Sequence, residues 1–340
     1  MVYLYPGAIH IHSIHSDGTG TIEEIAKAAK KAGLSWIIIT DHNNIEAKEG
    51  IYDGVCVLVG EEISPETENH YLALDIKAPI SSDMHAAEFI NKVKEQGGFG
   101  FIAHPDENVC RKNPYICLSW VDWTIKDFGG IEIWNYMSNW ADSYNDTNRL
   151  HSVYAYFFRN KVSGPTKKIL DWWDRLNNEA RDIIPAIGGV DTHAFIIKRA
   201  FFTIKVFSYE NCFKKLTNYV YLDKKLPEDF EGRKRAIFDA IKTGKNLIIN
   251  RSVGDKKNVF YIKNATETVY SGGFIKLDDD SKMNIELSRK ANIRIIHNGN
   301  VVLQQIAKKI EFPIKDKGKY RIEAYCKKLP WIFSNPIVVE

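Results

Sequence analysis

The 340-residue sequence predicts an α/β barrel followed by a small all-β module, and three observations carry that expectation. Up to about residue 250, short apolar runs alternate with helix-patterned stretches, as parallel strands with crossover helices require. From about residue 252 the helical patterns stop and short strand-like runs follow one another, as in a sandwich. Histidines and carboxylates gather just after the apolar runs of the first part, where a barrel keeps its chemistry.

Residues 2–11 read as the first strand. Residues 21–32 read as a helix, opened by a capping box of Thr21 with Glu24 and stopped by Gly33. The continuous apolar runs 36–40 and 55–60 are strands of the buried type, and 83–96 is a helix stopped by Gly97-Gly98. Strands are expected at 99–103, 131–134 and 184–187, with a helix at 166–178 before the last of them. A further strand at 201–206 and a helix at 232–242, ended by Gly244, complete this part. The later strands are expected at 259–262, 283–287, 293–297, 320–325 and 337–339, with Asn298-Gly299 as a turn. The expected division is a barrel over 1–251, with a long aromatic-rich insertion near 105–165, and a sandwich-like module over 252–340.

Composition narrows the partners. A net charge of +3 with 26% charged residues is too small a bias to point to nucleic acid. The apolar runs are only strand length, so no membrane span is expected, and no signal peptide is evident at the N-terminus. Cys56, Cys110, Cys117, Cys212 and Cys326 are scattered and form no C-x-x-C, which suits a reducing cytoplasm better than a disulfide framework.

The polar residues at the strand ends form one constellation. His10 and His12 close the first strand, with Asp17 in the loop after it. Asp41 and His42 follow the second, Glu61 and Glu62 the third, and His70 lies just beyond. His104, Asn135, Asp191 and His193 follow later strands. Two residues apart on an extended strand, His10 and His12 point the same way and can grip one ion. Alternation on the third strand makes one of Glu61 and Glu62 buried and the other exposed. Imidazoles with carboxylates and no cysteine suit Mn, Zn or Fe. The set is larger than one ion needs, so two or three divalent ions are expected. His15, His85, His151 and His297 are read as structural or surface residues.

These motifs, taken in order, resemble the PHP (polymerase and histidinol phosphatase) superfamily. They are His10-Ile11-His12 through Asp17-Gly18, Thr40-Asp41-His42-Asn43, Gly60-Glu61-Glu62, Ala103-His104-Pro105, Ile131-Glu132-Ile133-Trp134-Asn135 and Gly189-Val190-Asp191-Thr192-His193. Trp172-Trp173 and the ending 330–336 resemble the CehA/McbA-type branch more narrowly. The resemblance implies a distorted (β/α)7 barrel with a two- or three-metal site. Its ligands would be His10, His12, Asp17, His42, Glu62, His104, Asp191 and His193, with His70 at a position used in trinuclear members. Glu62 rather than Glu61 fits the family's Gly-x-Glu spacing.

The leading expectation is hydrolysis of a small-molecule phosphoester by a metal-bridging hydroxide, with Asp191 or His193 handling the leaving-group proton. Arg111, Arg149, Arg159 and Lys161 are candidate phosphate clamps, although ordinary surface charge is the commoner role for each. An alternative keeps the metals and cleaves an aryl carbamate or carboxyl ester, the insertion's aromatics from Tyr115 to Phe158 lining a lid. Packing of those aromatics onto the barrel is the commoner outcome. A third class is a non-catalytic scaffold, which the intact ligand set disfavours. The sequence leaves the oligomeric state open.

Overall fold

The computed structural model describes residues 2–107, 118–145, 163–199, 202–255 and 258–340. Its centre is a closed ring of seven strands: β1 (Tyr3–Ile11), β2 (Trp36–His42), β3 (Val55–Ile63), β4 (Tyr71–Leu74), β5 (Phe99–Ile102), β6 (Gly130–Asn135) and β7 (Ala186–Thr192). Parallel pairing joins β1 to β2, β2 to β3, β5 to β6, β6 to β7 and β7 back to β1. β4 runs antiparallel to both neighbours. Six C-terminal ends and the start of β4 therefore open on one mouth, which brings His70, just ahead of β4, to the ends of the other strands.

Alternation along the strands fills the ring. Ile9, Trp36, Ile38, Cys56, Leu58, Leu72 and Phe101 form the interior cluster, joined by Ile237, Phe238 and Ile241. Ala8, Ile11, Ile37, Ile39, Val57 and Val59 face outward. They pack there with the helices α1 (Ile22–Lys31) and α2 (Ala86–Glu95), and α3 (Tyr136–Asn145) follows β6. α4 (Lys167–Glu179) lies on the same outer layer through Ile169, Trp172 and Trp173. α1 opens with the expected capping box: Thr21 accepts from the Glu24 N–H and Glu24 from the Thr21 N–H. A short helix α5 (Tyr209–Phe213) precedes α6 (Phe230–Lys242), the helix that supplies Ile237, Phe238 and Ile241. The strand expected at 201–206 is observed as Phe202–Lys205, paired with Ile196–Arg199 in a separate hairpin outside the ring.

The sheet does not stop at the ring. The first half of β1 pairs antiparallel with β8 (Leu216–Leu222), and β8 with β9 (Asn246–Asn250). Five later strands carry most of the C-terminal region: β10 (Val259–Lys263), β11 (Lys282–His297), β12 (Asn300–Pro313), β13 (Gly318–Cys326) and β14 (Leu329–Ser334). β9 pairs with β14, so the hydrogen-bonded network runs from the barrel into this region, which has its own apolar core. Asn335 reinforces the junction: its Oδ1 accepts from the Ala186 N–H at 2.7 Å and its Nδ2 donates to the Ala186 carbonyl at 3.0 Å. Among the described residues no helix is long and apolar enough to cross a membrane.

Candidate metal centre

The first strand reaches the centre by breaking its own alternation. Ile9 faces the interior, so unbroken alternation would send His10 and His12 outward and keep Ile11 inside, whereas Ile11 lies in the outer layer. His10 instead has φ +68, at a register shift between Ile9 and Ile11. The irregularity turns the strand over, and His10 and His12 both face in. Beyond the break the pair converges as its spacing of two predicts, with Ile11 on the opposite face.

Glu62 is the hub. Its Oε2 lies 3.2 Å from His10 Nε2, 3.3 Å from His12 Nε2 and 3.1 Å from His42 Nδ1. Its Oε1 lies 2.8 Å from His70 Nδ1 and 3.1 Å from His104 Nε2. Asp191 Oδ1 adds contacts of 3.5 Å to His10 Nε2 and 3.4 Å to His12 Nε2. Asp17 Oδ1 stands 3.2 Å from His193 Nε2 and 3.6 Å from His42 Nε2. Three overlapping groups have ligand atoms close enough to hold an ion: His12, Asp17, His42 and His193; His10, Glu62 and His104; His10, His12 and Asp191. Every ligand position implied by the resemblance except His70 falls in one of them. His70 has one ring nitrogen on Glu62 and the other 3.2 Å from the Pro65 carbonyl.

The fit to cations shows in what the atoms lack. His10 Nε2, both ring nitrogens of His12 and Glu62 Oε2 are buried without a hydrogen-bond partner. Their separations are short, but their lone pairs and N–H groups aim at shared space rather than at one another. Leaving so many polar atoms unpaired is costly unless a positive charge sits among them. Electrostatics agree. Burial opposes ionisation of Glu62 and Asp191, yet the histidines, His10 foremost, hold both well below the usual carboxylate range. Burial also opposes charge on His104, but Glu62 and Glu107 raise it to about 9. Burial and the neighbouring His193 push His12 down to about 4. Nitrogen donors beside permanent carboxylates suit borderline divalent ions.

Around this inner set stands a second layer. Asp41 accepts from the Ser13 N–H, the Ser13 hydroxyl and the Ser16 hydroxyl, each at 2.6 Å, and so anchors the loop that carries Asp17. Ser64 Oγ lies 2.6 Å from His42 Nδ1. Asn135 donates to Asp191 Oδ2 at 3.2 Å while its own oxygen accepts from the Ser138 N–H, so it orients a carboxylate. Glu132, passed over as a site residue, is buried beneath the cluster with Oε1 2.8 Å from His10 Nδ1. A signal for it existed: a carboxylate inside an apolar run buried on both faces must have a partner.

One sequence expectation changes. Glu61 is fully buried rather than exposed. It does face the opposite side from Glu62, but the chain after β4 covers that side, and the Ile80 N–H donates to Glu61 Oε2 at 2.9 Å. Burial raises its pKa to about 7. Of the insertion's aromatics, Trp120 sits in the core, with Trp123, Tyr136 and Trp140 packed against it. Tyr115, Tyr154, Tyr156, Phe157, Phe158, Arg111, Arg149, Arg159, Lys161 and His151 lie outside the described residues, as does the side chain of Tyr144. His15, His85 and His297 stand apart from the centre, beside Glu46, at the start of α2 and beside the Lys317 carbonyl respectively.

Over 120 residues the chain is 36% identical to an uncharacterized protein of Methanocaldococcus jannaschii, covering 30% of this chain and 69% of that one. It is similar to a two-domain protein of Bacteroides vulgatus containing a predicted PHP-like metal-dependent phosphoesterase, with TM-score 0.46 and 13% identity over 98% of this chain and 95% of that one. It is also similar to PsfC of Pseudomonas syringae, with TM-score 0.40 and 11% identity over 67% and 87%. Structural likenesses of this degree say nothing about the reaction. The model of the PHP domain, by contrast, matches residues 8–202, more than half of the chain and every residue of the three ligand groups. The chain belongs to the PHP domain family.

Proposed function

We propose that this protein is a metal-dependent phosphoesterase acting on a small-molecule ester, with two or three divalent ions, Mn, Zn or Fe, at the mouth of the ring. One observation carries the reading: a single buried carboxylate, Glu62, stands among five histidines, and its Oε2, His10 Nε2 and both ring nitrogens of His12 have no hydrogen-bond partner. Such a hub suits ions set side by side. Bound there, the ions supply an acidified water and neutralise charge growing on the ester oxygens.

The chain's own residues then divide the work. Glu62, His10 and His104 hold the deep side, where all three are buried. Asp17 and His42 have side chains 54% and 29% exposed and mark the side from which substrate enters. Asp191 and His193 are the residues proposed to handle the leaving-group proton. As ligands they would act through a bound water; the stacking of the His193 ring between His12 and Phe195, with Nε2 toward the open Asp17, supports a role at the substrate side.

A second reading keeps the centre and changes the bond to an aryl carbamate or carboxyl ester, as the CehA/McbA-type resemblance implies. Phe195 favours it, since its ring is 41% exposed beside His193 and offers an aromatic leaving group a surface. A panel of aryl phosphates, phosphodiesters and aryl carbamates with added Mn decides between them. Turnover of the phosphates is expected; turnover of carbamates alone would transfer the assignment to the second reading. Elemental analysis of protein purified without chelator should find two to three ions per chain, and their absence would sink both.

A further inference from the structure

We infer that Glu132, which belongs to none of the three ligand groups, is the positioning residue that commits His10 and His104 to the deep half of the centre. The inference rests on the metal-dependent reading above. Glu132 lies on β6 and is 1% exposed. Its Oε1 is 2.8 Å from His10 Nδ1, and its Oε2 accepts from the His104 backbone N–H at 2.7 Å and from Asn135 Nδ2 at 3.0 Å. One carboxylate thus ties together the ends of three strands, β1, β5 and β6.

Both histidines it holds are in left-handed conformations, φ +68 at His10 and +28 at His104. Non-glycine residues persist there only when their surroundings over-determine them. Glu132 supplies that at both: it grips the ring of one and the backbone of the other. By taking a proton on His10 Nδ1 it also leaves Nε2 as the free lone pair, facing Glu62 and Asp191.

The strand between β6 and β1, β7, makes room for this arrangement. A Cβ on Gly189 would lie 1.6 Å from Glu132 Oε1 and 2.9 Å from His10 Cβ. Gly189 is not among the positive-φ glycines, so the residue serves for space and not for backbone freedom. Gly189 and Glu132 are two halves of one device.

The device predicts an uneven loss. His10 enters two of the three ligand groups, whereas the group of His12, Asp17, His42 and His193 does not include it. Glu132→Gln keeps the shape but cannot accept on both oxygens. If its amide nitrogen meets His10, the ring proton moves to Nε2, the nitrogen needed for the ion. If the amide is turned, it sets N–H groups against the His104 N–H and Asn135.

The test is competitive zinc titration against a chromophoric chelator on wild type, Glu132→Gln and Gly189→Ala, with thermal melts as folding controls. Both variants should bind zinc about 10- to 100-fold more weakly at one or two positions and normally at the remaining one. In zinc-loaded wild type, nitrogen-15 NMR should show the His10 proton on Nδ1, and Glu132→Gln should displace it. Unchanged affinity at every position in Glu132→Gln overturns the inference, as does an equal loss at all positions. If Gly189→Ala does not fold, Glu132→Gln carries the test alone. A wild type that takes up no zinc overturns the metal-dependent reading and this inference together, whereas zinc uptake that Glu132→Gln leaves unchanged overturns only the inference.

Discussion

Two buried charged clusters in this molecule are built in opposite ways. At the barrel mouth, Glu62, His10, His12 and His104 crowd together with polar atoms left unpaired. Where α4 meets β13, Arg321 donates to Asp174 from Nε at 2.7 Å and from Nη2 at 2.6 Å, and to Glu323 from Nη1 at 2.8 Å. Tyr325 completes Glu323 with a hydroxyl bond of 2.9 Å, and the guanidinium lies over the Trp173 ring. None of these Arg321 bonds needs anything from outside the chain. A cluster that serves the fold matches donor to acceptor within it; a cluster prepared for a cation aims its acceptors at a common point.

That contrast can be broken by experiment, and the largest effect should come from the hub. Glu62→Gln should remove bound metal and lower turnover by at least about 100-fold, the upper range for losing a residue that merely supports a ligand. Elemental analysis beside a steady-state assay checks it. Retention of full metal content would mean that Glu62 is not shared between ions.

Arg321→Ala should do the reverse. It strands Asp174 and Glu323 in the interior and should cost about 3–5 kcal/mol in urea unfolding, while the folded protein keeps its metal. Replacing Arg321, Asp174 and Glu323 together with apolar residues of similar volume should be nearly neutral. The same treatment of the mouth would abolish function.

The two clusters should also separate with pH. His104, with a folded pKa of about 9 against the ordinary 6.5, stabilises the metal-free protein fully below pH 6.5. That contribution is lost as pH rises through 9, so the metal-free melting temperature should fall across this window. Glu62 and Asp191 have lowered pKa values, so their contribution is present above the usual carboxylate range and lost on acidification through the folded values. Metal loading replaces the histidine protons and should flatten the alkaline limb. A smaller effect, about 1 kcal/mol, is expected from Thr21→Ala, which removes the cap of α1 and should leave metal content untouched.

Much of the ring was legible because apolar runs and strand ends are local features. Directions and coverings were not. The four-residue run Tyr71–Leu74 carries no sign of running backwards, and only that reversal brings His70 to the mouth. Glu61 looked exposed because its cover is a loop around Ile80 whose path no periodicity encodes. β12 is absent from the expected strands because its apolar residues follow no strict alternation, and most of its length is exposed, although it pairs along most of β11. The spacing of His10 and His12 predicts their common face, but the left-handed residue that turns this face inward leaves no mark in the composition.

Asn335 has a consequence for how the molecule comes into being. It supplies both a donor and an acceptor to Ala186, 149 positions earlier, at the root of the strand that ends in Asp191. During synthesis that root emerges long before its partner does. Closing a contact so distant in sequence is slow, and the root of this strand is expected to gain these two bonds only after the later segment has been made.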